Sequence, residues 1–342
     1  MNPKLKAGFL ALGFAAGLLA ASPLLGSSNA ADKALPRVWP AAPATARVTT
    51  AGCIAAPVDL GIEPTLFNRL ANLLVGGTRG REKLVKPFGV AVDEAGNLCL
   101  TDTGANAVIF FDRARHRYRR WEQIDKVRFV LPVAVAKADG IIYVADSGLG
   151  QVVAFDEEGR IRFRIVDKFT RPAGLALATG KLYVVDSAAH CVLIFDRQGR
   201  PLGRFGTRGV THGQFNFPTH VATDAEGRVF VTDAMNSRVE VFDGDGRYLS
   251  ELGGLGDGSG FFSRPKGVAV DSFGHVYVTD ALFDNVQIFD REGNFLLDLG
   301  SSGSAPGEFW MPAGIAIGRD NRIYVADAYN GRIQVLRYIG PP

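Results

Sequence analysis

Cysteine and net charge are both scarce in this sequence. The 342 residues include three cysteines, too few for a disulfide scaffold or a multi-cysteine metal site. Lysine and arginine total 38 and aspartate and glutamate total 35, so the formal net charge is +3. Because a chain this close to neutral lacks the broad positive charge that drives binding to nucleic acid, we expect no nucleic-acid partner. Neither a phosphate-binding glycine loop nor a Gly-x-Ser-x-Gly turn occurs.

The chain also lacks long apolar runs, with one exception at its N-terminus. Lys4 and Lys6 precede an uncharged apolar stretch at residues 8–25, which is followed by small residues. This order is typical of a secretory signal peptide, which we predict at residues 1–30, followed by a proline-rich linker at 31–45. The alternative is an uncleaved anchor, because an apolar stretch of this length can nearly span a bilayer. We expect a secreted or periplasmic protein that has no membrane span once the signal peptide is cleaved.

What the sequence contains in abundance is a repeat of 40 to 47 residues. Each of six copies opens on a proline and closes on an aspartate 14 or 15 residues later, with two apolar stretches between them. The prolines are Pro87, Pro132, Pro172, Pro218, Pro265 and Pro312. The aspartates are Asp102, Asp146, Asp186, Asp233, Asp280 and Asp327. Because each copy continues with further short apolar or alternating stretches, it predicts four short strands.

Six four-stranded units of this length predict an all-β fold, a six-bladed β-propeller at residues 84–342. The sixth copy ends soon after its third strand. An extended stretch from Ala46 to Ile54 lies outside every copy, and we predict that it completes the last blade and closes the ring. Apolar residues at helical spacing from Thr65 to Val75 predict a short amphipathic helix, packed on the propeller or docked on a partner or membrane. Residues 46–83 are therefore the predicted closing strand and helix.

Short phrases within the copies carry a family resemblance. They are GQFNFP at residues 213–218, GEFWMP at 307–312 and NGRIQV at 330–335. In these phrases the chain resembles the NHL-repeat propellers, as a secreted prokaryotic-type member, over about residues 84–338. The resemblance implies the six-bladed propeller fold. It implies no single activity, since the family includes protein-binding modules, RNA-binding domains, sensor domains and a lyase that cleaves hydroxylated glycine amides.

The closing aspartates and three histidines are the candidates for metal chemistry. A ring of carboxylates could hold a cation, but an aspartate in every copy is typical of a residue that caps its own turn. His190, His212 and His220 all map near one face of blades 3 and 4 and could bind zinc. Resemblance to the amidating lyases implies metal histidines directly after the blade prolines, where this chain has none. His220 comes one residue later, where strand alternation predicts that it points the other way. We expect no metal and no cofactor.

The arginine run and the cysteines are typical of structural rather than functional positions. The run from Arg113 to Arg128 could form an anion-binding surface, but its arginines alternate, as on the exposed face of an outer strand. Cys53, Cys99 and Cys191 fall in different predicted strands. An oxidising compartment would permit a disulfide, but the spacing favours free thiols.

Basic and aromatic residues cluster on loops that we expect on one face of the propeller. Lys86, Arg171 and Arg264 directly precede blade prolines, and Lys266 follows one. The apolar residues of these loops are Phe261, Leu282, Phe283, Trp310 and Tyr329. A basic centre beside an aromatic rim is typical of a docking surface for a protein or peptide.

This surface predicts a monomeric binding or scaffold protein that has a protein or peptide partner in the cell envelope. The alternative is an enzyme, a lyase or hydrolase with its active site in the central funnel. The absence of histidine after the blade prolines weighs against the enzyme.

Overall fold

Each sequence repeat folds into one antiparallel sheet, because its apolar strands are separated by glycine-containing turns. The computed structural model describes residues 36–63, 82–178 and 180–340. Five sheets have four strands in chain order, and the sixth combines three strands of the last repeat with two from the N-terminal part of the chain. The protein is thus an all-β six-bladed propeller, as the sequence predicts. The helix predicted from Thr65 to Val75 lies outside the described residues.

Two strands precede the blades, and blades 1 to 3 follow, with their strands given from the innermost outward. The first two strands are β1 (Val38–Trp39) and β2 (Val48–Ile54). Blade 1 contains β3 (Pro87–Val92), β4 (Leu98–Asp102), β5 (Ala107–Asp112) and β6 (Arg117–Trp121). A hairpin of β7 (Gln123–Ile124) and β8 (Val127–Arg128) leads to blade 2. Blade 2 contains β9 (Pro132–Ala138), β10 (Ile141–Asp146), β11 (Gln151–Asp156) and β12 (Ile161–Ile165). Blade 3 contains β13 (Pro172–Ala178), β14 (Lys181–Asp186), β15 (Cys191–Asp196) and β16 (Pro201–Phe205).

Blades 4 to 6 have the same strand order. Blade 4 contains β17 (Pro218–Thr223), β18 (Val229–Asp233), β19 (Arg238–Phe242) and β20 (Tyr248–Gly253). Blade 5 contains β21 (Pro265–Val270), β22 (Val276–Asp280), β23 (Asn285–Phe289) and β24 (Phe295–Leu299). Blade 6 contains β25 (Pro312–Ile317), β26 (Arg322–Asp327) and β27 (Arg332–Tyr338). Within the three described ranges the helices are short 3-10 turns, at Pro57–Leu60, Ala234–Asn236 and Ala328–Asn330.

The innermost strands surround a central channel. Those of neighbouring blades contact one another around the whole ring, including those of blades 6 and 1. The approach is so close that small residues are needed between the strands. A Cβ atom on Gly267 of blade 5 would lie 2.6 Å from the carbonyl oxygen of Ala313 in blade 6.

The fourth position of blade 6 is occupied by the N-terminal strand β2. It pairs antiparallel with β27, with Val48 opposite Tyr338 and Ile54 opposite Ile333. Beyond it, β1 pairs with β2, so two residues of the predicted linker form a strand. The contribution of β2 to the stability of the ring stays a prediction.

Large aromatic side chains fill the spaces between blades. Phe215, Phe262 and Phe309, three residues before their opening prolines, are fully buried. Each ring packs on the glycine that ends or follows the preceding outer strand. At Gly253, where φ is +81°, a Cβ atom would lie 2.2 Å from the ring of Phe262. Since burial of one such ring contributes about 1.5–3 kcal/mol, these three aromatics stabilise the contacts of blade 3 with blade 4, of blade 4 with blade 5 and of blade 5 with blade 6.

The three cysteines are free thiols, as the sequence predicts. Cys53 is exposed on β2, whereas Cys99 and Cys191 are buried in blades 1 and 3. Burial raises the pKa of the Cys191 thiol, so this side chain stays protonated near neutral pH.

Across residues 36–63, 82–178 and 180–340, no helix has the length and apolar character that a bilayer span requires.

We expect the burial of β2 to stabilise the ring. Val48 and Ile54 are buried, whereas Ala51 between them is exposed. Replacing both buried residues by serine should lower Tm by at least about 5 °C, because each loses about 1.5–3 kcal/mol of apolar burial. Deleting Ala46 to Ile54 should lower it further or cause aggregation. Calorimetry measures the change, with Ala51→Ser as the matched control, and a deletion variant that melts like the parent would contradict the prediction.

Candidate binding surface

The loop face of the propeller is the face formed by two sets of loops. One set joins an outer strand to the next innermost strand, and the other joins the second strand of a blade to the third. The closing aspartates of the repeat lie where the two sets meet, and all six are buried. This face carries the residues that the sequence predicts for partner binding.

Each closing aspartate ties the two loop sets together through hydrogen bonds. Asp280 accepts the backbone N–H groups of Ser263 and Arg264 from one loop and of Leu282 and Phe283 from the other, at 2.7 to 3.2 Å. The other five have corresponding bonds to backbone or side-chain groups of the same two loops. The predicted turn-capping role is confirmed, and it extends to the loop that precedes the proline.

The residues directly before the prolines form a ring that alternates between basic and apolar side chains. In blade order they are Lys86, Leu131, Arg171, Phe217, Arg264 and Met311. The sequence predicts the three basic members for partner binding. It also places the three apolar ones at the same position of the repeat, but they were not predicted. Leu131 and Phe217 are exposed, so apolar surface separates the cations around the channel mouth.

Lys86, Trp310 and Tyr329 form one aromatic cluster at the junction of blades 6 and 1. The Lys86 Nζ atom lies 4.2 Å from the centre of the Tyr329 ring and 3.2 Å from its hydroxyl oxygen. The Trp310 ring lies 5.6 Å from the Tyr329 ring and is 53% exposed. The structure therefore brings these three predicted residues together, with a cation held against an exposed aromatic pair.

Arg171, Arg264 and Lys266 form a basic cluster on the other side of the mouth. Arg171 lies 5.7 Å from the Phe217 ring, and its Nη2 atom donates to the Ser187 hydroxyl at 3.1 Å. Burial lowers the pKa of Lys266, and the charges of Arg264 and Arg171 lower it further. A lysine whose pKa falls for these reasons lies in an uncompensated positive field.

Phe88 and His220 fill the channel below the mouth. Their rings lie 6.2 Å apart, although Phe88 belongs to blade 1 and His220 to blade 4, on opposite sides of the ring. The prediction that His220 points away was wrong, because the strand register shifts between Pro218 and Val221 and breaks the alternation. Five blades have glycine or alanine at the position of His220.

Both ring nitrogens of His220 are shielded from solvent and have no hydrogen-bond partner among the described residues. Burial, helped by the charge of Lys266, lowers the pKa of His220 to about 3. The imidazole is therefore neutral at physiological pH, and its donor and acceptor are both unused.

The remaining predicted residues lie on the loops of blade 5. Phe261 and Leu282 are exposed, and Phe283 is half-buried and lines a small cleft with Asp257 and Ser259. Phe261 packs beside Gly256. No contact within the described chain joins these three side chains to the aromatic cluster at Trp310.

The mouth carries positive charge that no ion pair among the described residues neutralises. Within the described residues, none of Lys86, Arg171, Arg264 and Lys266 forms an ion pair with a carboxylate. The closing aspartates accept backbone hydrogen bonds from the loops, and the two of them that form ion pairs, Asp233 and Asp327, do so with Arg238 and Arg332. Opposite charge is therefore attracted to the channel mouth.

The three histidines that could have formed a zinc site do not come together. His190 is buried beside Phe217, and its Nδ1 lies 3.2 Å from the backbone nitrogen of that residue. His220 lies in the channel, and His212 is exposed next to Glu251. Among the described residues, the one group whose ligand atoms lie within 4.8 Å of one another contains His212 with Glu240 and Glu251.

The NHL repeat model matches the chain at residues 169–195 and 309–336. These matches fall in blades 3 and 6 of the six-bladed arrangement. The chain is thus a six-bladed propeller with NHL repeats in two of its blades. No curated protein matches its sequence.

Solved structures that resemble this NHL propeller have diverse activities. A gluconolactonase from Xanthomonas campestris is 15% identical and covers 85% of this chain and 98% of its own, with a TM-score of 0.58. Virginiamycin B lyase from Staphylococcus aureus is 12% identical over 75% and 96% of the two chains, with a TM-score of 0.55. A chain of a nidogen/laminin complex is 18% identical over 71% of this chain and 86% of its own, with a TM-score of 0.52. At these identities the likeness shows the fold alone.

The closing aspartates of the NHL propeller should be essential for stability. Asp280→Ala leaves four backbone N–H groups without their acceptor, which should cost at least about 1–3 kcal/mol of unfolding free energy. Urea denaturation measures the loss. Asp298→Ala, at an exposed position of β24, is the control and should change stability by less than about 0.5 kcal/mol. Equal effects of the two substitutions would contradict the structural role.

The buried His220 should make the NHL propeller sensitive to acid. Its pKa is lowered on folding, so its contribution is fully present above about pH 6.5 and is lost as the pH falls toward the folded value of about 3. His220→Leu should flatten this loss by up to about 1.4 kcal/mol per pH unit. Chemical denaturation between pH 7 and about pH 4 tests it. The exposed His116→Asn variant should keep the parent's profile, and an unchanged profile in His220→Leu would exclude the effect.

Proposed function

We propose that this protein binds an acidic segment of a protein or peptide partner at the mouth of its channel, outside the cytoplasm. The observation that carries the proposal is the group of four cations, Lys86, Arg171, Arg264 and Lys266, without a carboxylate partner among the described residues. If the predicted signal peptide directs export, the protein acts as a scaffold within the cell envelope. The N-terminal residues that would carry that signal lie outside the described part of the chain.

Electrostatics support an anionic ligand. Cations on a protein surface commonly form ion pairs with nearby acids. Arg160 and Arg162 do so with Asp156 on the outer wall of blade 2. At the mouth, by contrast, the nearby aspartates are used by the backbone and the cations repel one another. A carboxylate ligand relieves this repulsion, and its attraction is strengthened where the channel walls exclude water.

Exposed aromatic groups support a peptide rather than a free inorganic anion. Trp310 and Tyr329 together present apolar surface beside the Lys86 ammonium group. Tryptophan, tyrosine and arginine are the residues that most often dominate binding energy at protein interfaces. An acidic segment with an adjacent aromatic or aliphatic side chain satisfies both parts of the surface.

Substitutions on the loop face should weaken binding far more than substitutions on the outer wall. Trp310→Ala combined with Arg264→Ala should reduce affinity at least about tenfold, since loss of a desolvated anchor costs about 2 kcal/mol or more. The probe is a fluorescent peptide with clustered glutamates and one tryptophan, measured by anisotropy at physiological salt. A peptide with lysine in place of glutamate should not bind.

The matched controls are Arg117→Ala and Arg162→Ala, which remove arginines of outer strands. These exposed charges should matter little because salt screens them. If the outer-wall variants lose binding and the loop-face variant retains it, the partner docks on the side wall and the proposal is wrong. If instead the loop-face variant loses binding, crosslinking from a photoreactive group at position 310 in the envelope fraction would identify the natural partner.

A second candidate is an enzyme with its active site in the channel. The observation that favours it is the neutral His220 imidazole, which has no hydrogen-bond partner among the described residues. The charge of Lys266 helps to lower the pKa of this imidazole. A neutral imidazole can donate a hydrogen bond to a substrate oxygen while the neighbouring cation stabilises a developing anion. The gluconolactonase and the virginiamycin B lyase share the fold.

Those two activities provide a direct test of the second candidate. Glucono-lactone hydrolysis and virginiamycin B cleavage should be detectable, and His220→Gln should abolish them without changing peptide binding at Trp310. Absence of both reactions in the parent protein would remove the support that the neighbours lend to an enzyme.

A further inference from the structure

Blade 4 departs from the repeat at a buried position of its third strand. In blades 5 and 6 this position is glutamine. The side-chain oxygen of Gln287 accepts the Gly260 N–H at 2.9 Å, and its amide nitrogen donates to the Phe261 carbonyl at 2.7 Å. Gln334 makes the same two bonds, to Gly307 and Glu308. An amide suits this position because it offers one acceptor and one donor in a fixed arrangement.

Glu240 replaces the glutamine in blade 4. Its Oε1 atom still accepts a backbone N–H, from Gly213 at 3.0 Å. Its Oε2 atom takes the place of the amide nitrogen and cannot donate to a carbonyl when ionised. Glu240 is 0% exposed, and Oε2 has no hydrogen-bond partner in the described chain. Such a buried, unsatisfied carboxylate oxygen is costly unless another group neutralises it.

Two further ligand groups meet Glu240 at this place. Glu240, His212 and Glu251 each offer one atom, and these atoms lie within 4.8 Å of one another. The His212 Nδ1 atom lies 3.6 Å from Glu251 Oε2, and the imidazole stacks on the Tyr248 ring at 4.5 Å. Blade 5 has Ser259 at the position of His212 and Asp298 at the position of Glu251. Because it also has Gln287 at the position of Glu240, the histidine and the third-strand glutamate both distinguish blade 4 from blade 5.

The charge balance of this cluster leaves room for a cation. Arg238 contacts three carboxylates, with Nε 3.1 Å from Asp233, Nη2 3.4 Å from Glu240 and Nη1 2.9 Å from Glu251. When all three carboxyl groups are ionised, one guanidinium group leaves two negative charges, which is the charge that a divalent ion neutralises. His212 and Glu251 are partly or largely exposed, so an ion has access from solvent.

We propose that His212, Glu240 and Glu251 form a binding site for a divalent transition-metal ion of the zinc type. One imidazole nitrogen and two carboxylate oxygens are a ligand set that zinc accepts, with a water completing its coordination. The site is separate from the post-proline positions on which the expectation of no metal rested. It goes beyond the proposed binding of an acidic partner and does not depend on it.

Isothermal titration of the full chain with zinc chloride, after dialysis against a chelator, tests the proposal. Burial raises the pKa of Glu240 to about 7, so the titration is run at a pH above that value to ionise the carboxyl group. We expect one zinc ion bound per chain and an increase in Tm on zinc addition. Magnesium at the same concentration should produce neither effect, because it prefers all-oxygen ligands.

The other blades supply matched variants. Glu240→Gln restores the glutamine of blades 5 and 6 and should fold at least as well as the parent while losing zinc binding at least about tenfold. His212→Ser installs the residue of blade 5 at an exposed position and should do the same. His116→Asn removes an exposed histidine elsewhere and should leave binding unchanged. The proposal would be overturned if the parent failed to bind zinc, or if Glu240→Gln and His212→Ser bound zinc as tightly as the parent does.

Discussion

The buried carboxylate at the end of each second strand holds the loop face together. In every blade it accepts hydrogen bonds from the loop before the proline and from the loop after the second strand, as Asp280 does with Ser263 and Leu282. Both loops would otherwise leave backbone N–H groups buried without partners, which is costly. Because the aspartate fixes the backbone, the side chains that flank it can vary without disturbing the propeller. The loop face is therefore a constant frame with variable positions.

The variable positions give the channel mouth its charge. The fold uses the backbone of the residue before each proline and does not require a particular side chain. Lysine, arginine, leucine, phenylalanine and methionine therefore all occur there. Within the described chain, the carboxylates that secure the frame form no ion pair with Arg264 or Lys266. The channel mouth therefore carries four cations without a carboxylate partner among the described residues, although the whole chain is nearly neutral.

Spacing predicted the fold because a proline and an aspartate 14 or 15 residues apart mark the beginning and end of a strand pair in every copy. The placement of Trp310 and Tyr329 on loops of one face also followed from this alignment. Two features did not follow. The direction of His220 depends on a register shift in β17, which simple alternation cannot represent. The meeting of His212 with Glu240 depends on the pairing of strands and loops that are far apart in the chain.

The repeat itself is the best guide to positions with a purpose beyond folding. Five blades accept glycine or alanine where blade 4 has His220, and blades 5 and 6 have glutamine where blade 4 has Glu240. Each departure leaves polar atoms buried without partners, at a cost of about 1–3 kcal/mol, although a cheaper residue is used in neighbouring blades. Two such losses in one blade, at unrelated positions, are difficult to attribute to packing, since the same backbone accepts the cheaper residues elsewhere. Blade 4 therefore gives up stability at these two positions, and a ligand that satisfies those atoms would recover part of the cost.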